Sequence, residues 1–142
     1  MKTVLVTGGA GFIGSHIVEL LLERGYQVVV LDNLSTGDRS RIDTHAQFIL
    51  GDVRDPDGVA KAFESGVDAV IHIAGQASIS LSFQDPSTDL RVNTLGTINM
   101  LQASIAHHVP RFLFASSMTI YGNPTVVPTP ETTPPDPVSY YG

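Results

Sequence analysis

Short apolar runs and longer amphipathic stretches alternate along residues 1–116. Thr3-Val4-Leu5-Val6 reads as a buried strand, ended by the glycine cluster Gly8, Gly9, Gly11 and Gly14. Ile13, Ile17, Leu20 and Leu21 recur at helical spacing and predict a helix from about Phe12 to Arg24, with Gly25 as its stop. Gln27 to Leu31 is rich in β-branched residues, as expected of a strand covered on both faces. Ala46 to Leu50, Asp68 to Ile73 and Arg111 to Ala115 repeat that pattern. Helices are predicted between them at Pro56 to Glu64 and roughly Pro86 to His107. Such alternation implies parallel βαβ units with right-handed crossovers in a doubly wound α/β sheet.

The last stretch breaks the pattern. Six of the nine prolines fall between Pro124 and Pro137, and no Lys or Arg follows Arg111. This is a proline-stiffened loop, with a disordered tail as the alternative. Composition narrows the function classes. The 8 Lys+Arg against 14 Asp+Glu give a net charge of −6, with no basic cluster for a nucleic-acid backbone. There is no cysteine, so disulfides, thiolate zinc sites and cysteine nucleophiles are excluded. Apolar runs such as Val28 to Leu31 are too short to span a bilayer, and the start of the chain lacks a signal-peptide core. A cytoplasmic protein is expected. At 142 residues the chain suits one domain, or part of a larger one.

The strongest chemical signal is Thr7-Gly8-Gly9-Ala10-Gly11-Phe12-Ile13-Gly14, which follows the first predicted strand and opens a helix. In a Rossmann-type sheet the early glycines permit a tight turn, Gly11 admits a pyrophosphate and Gly14 lets helix and strand pack closely. The phosphates would meet free N–H groups at the positive end of the helix. The alternative is a glycine-rich turn without a ligand. Asp32 ends the second strand, 18 residues after Gly14, where a carboxylate accepts hydrogen bonds from an adenosine ribose. It would repel a 2′-phosphate, which favours NAD over NADP; Arg39 and Arg41 are the residues that could blur this choice. Asp32 could equally be a turn former. Asp52 stands after the third strand, where it could meet adenine or cap a helix. His72 ends the fourth strand and is assigned no chemistry. His107-His108 suits a helix C-terminus, and no metal site is expected there. Ser117 ends the fifth strand without a GxSxG elbow around it, so a turn serine or a cleft serine fits better than a hydrolase nucleophile.

Together these residues resemble the extended short-chain dehydrogenase/reductase family, in its nucleotide-sugar epimerase branch, typified by UDP-glucose 4-epimerases. The likeness runs through TGGAGFIG at 7–14, LDNLSTG at 31–37, GDVRD at 51–55, HIAGQASIS at 72–80, NTLGT at 93–97, SSMTIYG at 116–122 and PxSYYG at 137–142. The resemblance implies a catalytic serine at Ser117 and a catalytic tyrosine at Tyr141, with Tyr140 as the neighbouring alternative. It implies NAD held by Gly8, Gly11, Phe12, Ile13, Gly14, Asp32, Asn33, Asp52, Val53 and Ala74, and Asn93 as structural support for the site. The implied substrate is a nucleotide sugar, most simply a UDP-sugar, and the implied assembly of the full-length protein is a homodimer.

The family's YxxxK lysine would stand three positions beyond Gly142, and the family's C-terminal sugar-binding region is not in this sequence. The chain is therefore read as an N-terminal NAD-binding portion that is inactive alone. Met118-Thr119 follow Ser117 where related dehydratases carry Asp-Glu, which disfavours dehydration. The implied reaction is epimerisation by transient hydride transfer. A phenol titrates ordinarily near 10, so such a tyrosine needs nearby positive charge to act as a base. A dehydratase or reductase of the same family, and a non-catalytic NAD-binding module, are the alternatives.

Overall fold

Alternate residues of the two central strands point into two different cores. Val4 and Val6 of β1 (Thr3–Thr7) join Val28 and Val30 of β2 (Gln27–Asp32) on one side of the sheet. Leu5, Val29 and Leu31 face the other side. Both faces of these strands are covered, which is why their sequences run apolar without alternation. The computed structural model describes residues 2–142. It adds β3 (Gln47–Leu50), β4 (Ala69–His72) and β5 (Phe112–Phe114) in a parallel sheet of order β3-β2-β1-β4-β5. The chain winds outward from β1 to β3 and then crosses to β4. This puts the topological switch point between β1 and β4, where open α/β sheets bind ligands at the carboxyl ends of the strands.

Helix α1 (Phe12–Glu23) covers the first face through Val18, with Ile17, Leu21 and Leu22 packed beside it. It ends as the sequence implies. Gly25 takes φ +77, its N–H donates to the Leu22 carbonyl, and the Tyr26 N–H donates to the Leu21 carbonyl. The expected inward stripe needs two corrections. Leu20 is 43% exposed, and Val18 is the residue buried on that face. Ile13 is 62% exposed, because the first turn of α1 overhangs the end of the sheet, and Gly14 is the residue that touches it.

On the second face, α2 (Pro56–Lys61) starts from the Asp55 cap and leads into the fully buried Phe63. Beyond Lys61 the predicted helix tightens into bonds from Ala62 to Val59 and from Phe63 to Ala60, then turns at Gly66 with φ +75. The long helix predicted from Pro86 is present in three parts. They are α4 (Pro86–Asp89), a π-helical turn (Leu90–Leu95) and α5 (Gly96–Ala106), which buries Met100 in the same core. A further short helix before them, α3 (Ile79–Gln84), is absent from the sequence-based expectation. Single 3₁₀ turns occupy Arg39–Arg41 and Met118–Tyr121.

The proline-rich stretch is not a loose tail. It returns to the sheet edge, where the Asp136 N–H donates to the Ile120 carbonyl at 2.8 Å. Among the described residues no helix is long and apolar enough to cross a membrane.

Candidate active site

The glycine loop is fixed by close approach. Gly8 has φ +68, and a Cβ there would stand 2.8 Å from the Ala74 nitrogen, so β1 and β4 meet where only glycine fits. At Gly14 a Cβ would collide with the Gly8 carbonyl oxygen and come within 2.7 Å of the Gly9 Cα. At Gly11 such an atom would meet only the Gly8 carbonyl, at 3.2 Å, and otherwise open space. Helix α1 therefore begins directly over the end of β1, with no side chain capping it. The N–H groups of Phe12, Ile13 and Gly14 precede the first intrahelical bond, from Ser15 to Gly11, and face the mouth of the cleft. Three oriented donors beside a position open to a bulky group fit a pyrophosphate. Phe12 and Ile13, expected at the cofactor, would serve through these N–H groups; their side chains are 72% and 62% exposed.

Asp32 fills one of its two expected roles, that of a turn former. One carboxylate oxygen accepts from the Ala10 N–H at 2.9 Å and the other from the Leu34 N–H at 2.8 Å. It thus ties the glycine loop to the loop after β2, and each oxygen keeps a lone pair for a ribose hydroxyl. That second loop lies against the first: the Asp38 N–H donates to the Ala10 carbonyl at 3.0 Å. Asn33 donates to Asp52 at 2.8 Å and accepts from the Ser35 N–H at 2.9 Å. Asp52 also takes two bonds from the Arg54 guanidinium, at 2.9 and 2.7 Å, and one from the Arg54 N–H at 2.9 Å, and these hold its carboxyl well below the usual carboxylate range. The structure brings Asp32, Asn33 and Asp52 to one edge.

Val53 does not present its side chain there. It is buried in the second core, and its carbonyl accepts from Asn99 at 2.9 Å. Arg39 is engaged elsewhere, 4.6 Å over the Phe48 ring and bonded to the Ile42 carbonyl.

Under the cleft runs a network that sequence reading does not anticipate. The Thr7 hydroxyl oxygen accepts from the Ile73 and Ala74 N–H groups, at 3.2 and 3.1 Å. Its proton is then directed to His72 Nδ1, 2.7 Å away. His72 Nε2 consequently carries the ring proton and donates to Thr97 Oγ1 at 3.0 Å, and Thr97 donates to the Asn93 carbonyl at 2.6 Å. Asn93 accepts from the Gln76 N–H at 2.8 Å and donates to its carbonyl at 2.9 Å, pinning the loop after Ala74. Asn93 is therefore the support the resemblance implies. Burial pushes the His72 imidazole down to about 4, so it is neutral and structural.

At the end of β5, the Ser117 hydroxyl oxygen accepts from the Thr119 hydroxyl at 2.9 Å and from the Thr119 N–H at 3.3 Å. The proline segment brings Tyr141 back to this turn. Gly142, its neighbour, lies so near the Thr119 carbonyl that a Cβ would stand 2.7 Å from it. Tyr141 is half-buried there, whereas Tyr140 is 64% exposed and rests its ring on Phe83.

Comparison with known proteins agrees with this geometry. The family described as "NAD dependent epimerase/dehydratase family" matches residues 4–142. A Methanocaldococcus jannaschii relative, named provisionally as a UDP-glucose 4-epimerase, is 44% identical over 140 residues, covering 98% of this chain and 46% of the relative. The solved UDP-glucose 4-epimerase of Thermus thermophilus in complex with NAD is 48% identical with a TM-score of 0.94, over 99% of this chain and 46% of that one. The Thermotoga maritima UDP-glucose 4-epimerase solved with UDP-glucose gives 42% and 0.95, over 99% and 47%. The chain thus spans just under half the length of each of these proteins.

The histidine network has a testable pH signature. With an ordinary imidazole near 6.5 in the unfolded chain and about 4 in the folded one, the unfolded state binds the extra proton between these values. The stabilisation is complete above about 6.5 and declines as pH falls towards 4, a loss on the order of 3 kcal/mol. Urea unfolding at pH 7, 5.5 and 4.5 measures it. The difference between wild type and His72→Leu should shrink as pH falls; a difference independent of pH would show that His72 is not held neutral.

Proposed function

This chain belongs to the NAD dependent epimerase/dehydratase family, and from that membership we propose that residues 1–142 are the dinucleotide-binding part of a nucleotide-sugar 4-epimerase, acting on a UDP-sugar. The observation that carries the reading is the return of the Tyr141 segment to the Ser117–Thr119 turn, on the edge that holds the glycine loop. A binding module needs the loop and Asp32 but has no use for that return. The relatives named above as UDP-glucose 4-epimerases, one solved with NAD and one with UDP-glucose, support the choice of cofactor and substrate class.

In this reading the N–H groups of Phe12, Ile13 and Gly14 hold the pyrophosphate, and Asp32 accepts from the adenosine ribose. Asn33, Asp52, the Val53 N–H and the loop at Ala74 complete the adenosine side. NAD, when bound, supplies the capacity to take up and return a hydride. Tyr141 takes the proton from the sugar hydroxyl and returns it to the keto oxygen. Ser117 holds that oxygen by donating its own proton, since its oxygen already accepts twice from Thr119. The residues after Ser117 are Met118-Thr119, without the carboxylates that elimination of water requires, so epimerisation is favoured over dehydration.

The protein works in the cytoplasm in this reading and forms a homodimer. Support for the dimer is the apolar stripe of Ile98, Leu101 and Ile105, exposed at 42%, 41% and 74% along one side of α5. Sedimentation of the natural protein should give twice the protomer mass, and Leu101→Glu/Ile105→Glu should restore the monomer. A monomeric wild type rejects the assembly.

Two measurements test the chemistry. Tyr141→Phe should lower epimerisation of UDP-glucose in the natural protein by at least about a hundred-fold, with dinucleotide affinity nearly unchanged. Full turnover in that variant would reject the assignment. Calorimetry should show preference for NAD over NADP. Asp32→Ala should weaken both and narrow their ratio, because it removes the charge opposed to a 2′-phosphate and also two bonds that hold the loops. An unchanged ratio would remove Asp32 from the discrimination.

A further inference from the structure

The segment carrying Tyr141 is short of anchors. Asp136 is bonded to the Ile120 carbonyl, and Gly142 is pressed against the Thr119 carbonyl while its N–H donates to the Ser139 hydroxyl at 3.0 Å. All of these contacts lie within residues 117–142. An aromatic contact reaches beyond them. The Tyr140 ring meets Phe83 of α3 edge to face, with centroids 5.6 Å apart and planes at 69°. We propose that the Phe83–Tyr140 pair is a positioning device that sets the direction of the Tyr141 side chain, with α3 as the strut that refers it to the cofactor cleft. This rests on the reading of Tyr141 as the proton-transferring residue.

Helix α3 is largely exposed in residues 2–142. Ile79, Leu81 and Phe83 are all about half exposed, and Ser82 is its one buried residue. Its apolar content therefore adds little to the core, yet its base is firmly held. Ser78 caps it through the Leu81 N–H, and the Gln76 side chain donates to the Ser78 carbonyl at 3.0 Å and to Asp89 at 2.7 Å. Gln76 is in turn pinned by Asn93, which belongs to the network beneath Ala74. A continuous set of contacts thus runs from the floor of the cleft, up α3, to the ring beside Tyr141. Consecutive side chains leave a bent backbone in different directions, so fixing the Tyr140 ring fixes where Tyr141 points. The two tyrosines divide the work: one is held by its ring, and its neighbour keeps its hydroxyl for the reaction.

The test uses Phe83→Ala, Tyr140→Ala, their double variant and Tyr140→Phe in the natural protein, assayed with UDP-glucose and bound NAD. Misplacement without loss of fold should lower kcat roughly ten- to a hundred-fold with KM within about three-fold. The double variant should be no slower than either single, because both remove the same contact. Tyr140→Phe, which keeps the ring, should work at the wild-type rate. Amide hydrogen exchange supplies a readout independent of turnover: residues 138–142 should exchange faster in Phe83→Ala while residues 3–7 do not change. Unchanged exchange at 138–142 overturns the inference whether or not the protein turns over. So does full kcat in both alanine variants beside an inactive Tyr141→Phe, or a Tyr140→Phe as slow as Tyr140→Ala. Full turnover in Tyr141→Phe overturns the reading of the site instead.

Discussion

The first turn of α1 lies so close to the end of β1 that Gly14 has no room for a methyl group beside the Gly8 carbonyl. This contact decides where the helix begins, and hence where its unpaired N–H groups point. It also leaves no side chain at the helix start to cap them, so they remain available to an anion. Asp32 then finds the Ala10 N–H within reach and draws the β2 loop over the same spot. Without the close approach, the loop, the donors and the carboxylate would not share one edge. A pattern of glycines in sequence is thus a statement about packing before it is one about ligands.

Beneath that edge the polar groups are arranged in a fixed sense of donation. Two main-chain N–H groups occupy the Thr7 oxygen, which forces its proton onto His72, and the ring must then donate to Thr97. A buried imidazole with both nitrogens engaged has no site for a second proton without breaking a bond. The consequence is rigidity: β1, β4 and the helix carrying Asn93 are joined at the switch point by side chains as well as by the sheet. The same arrangement makes His72 unfit for proton transfer, although it stands near the cleft.

The strands, their parallel order and the close-packed glycine loop beside Asp32 were legible because each depends on short-range pattern: uninterrupted β-branched runs, glycine spacing and a carboxylate at a strand end. What escaped depends on placement. Ile13 has helical spacing, but periodicity cannot tell that a first turn overhangs the sheet. Residues 79–83 read Ile-Ser-Leu-Ser-Phe, an alternation with period two that hides a helix. The Ser78 cap and the Ser82 hydroxyl, which donates to the Ile79 carbonyl at 2.7 Å, make the helical form the satisfied one. The π-helical turn at Leu90–Leu95 has no local signature. It coincides with Thr97 bonding the Asn93 carbonyl while the Asn93 side chain reaches across to Gln76. Val53 falls within a motif that resembles a cofactor contact, yet the chain turns its side chain inward to meet Gly96, where a Cβ would come within 2.6 Å of it.

Ser117 shows how far residue identity alone falls short of chemistry. A serine can attack, accept or donate, and the sequence around it excludes only the first. Here its oxygen receives the Thr119 hydroxyl and the Thr119 N–H, so both lone pairs are committed and its proton is left to be given. No base stands against it, as attack would require. In the proposed reading the residue two positions on selects the role, and Ser117 steadies a ligand oxygen. In that reading the donors at the helix start serve phosphate, the Ser117 proton serves the sugar, and Tyr141 is the group that receives a proton. The placement of Tyr141 then matters most to the proposed chemistry, and its segment is brought to the turn through Asp136 and Gly142. The glycine loop is set by close main-chain packing together with the Asp32 carboxylate, whereas the Tyr141 segment meets α3 through the Tyr140 ring.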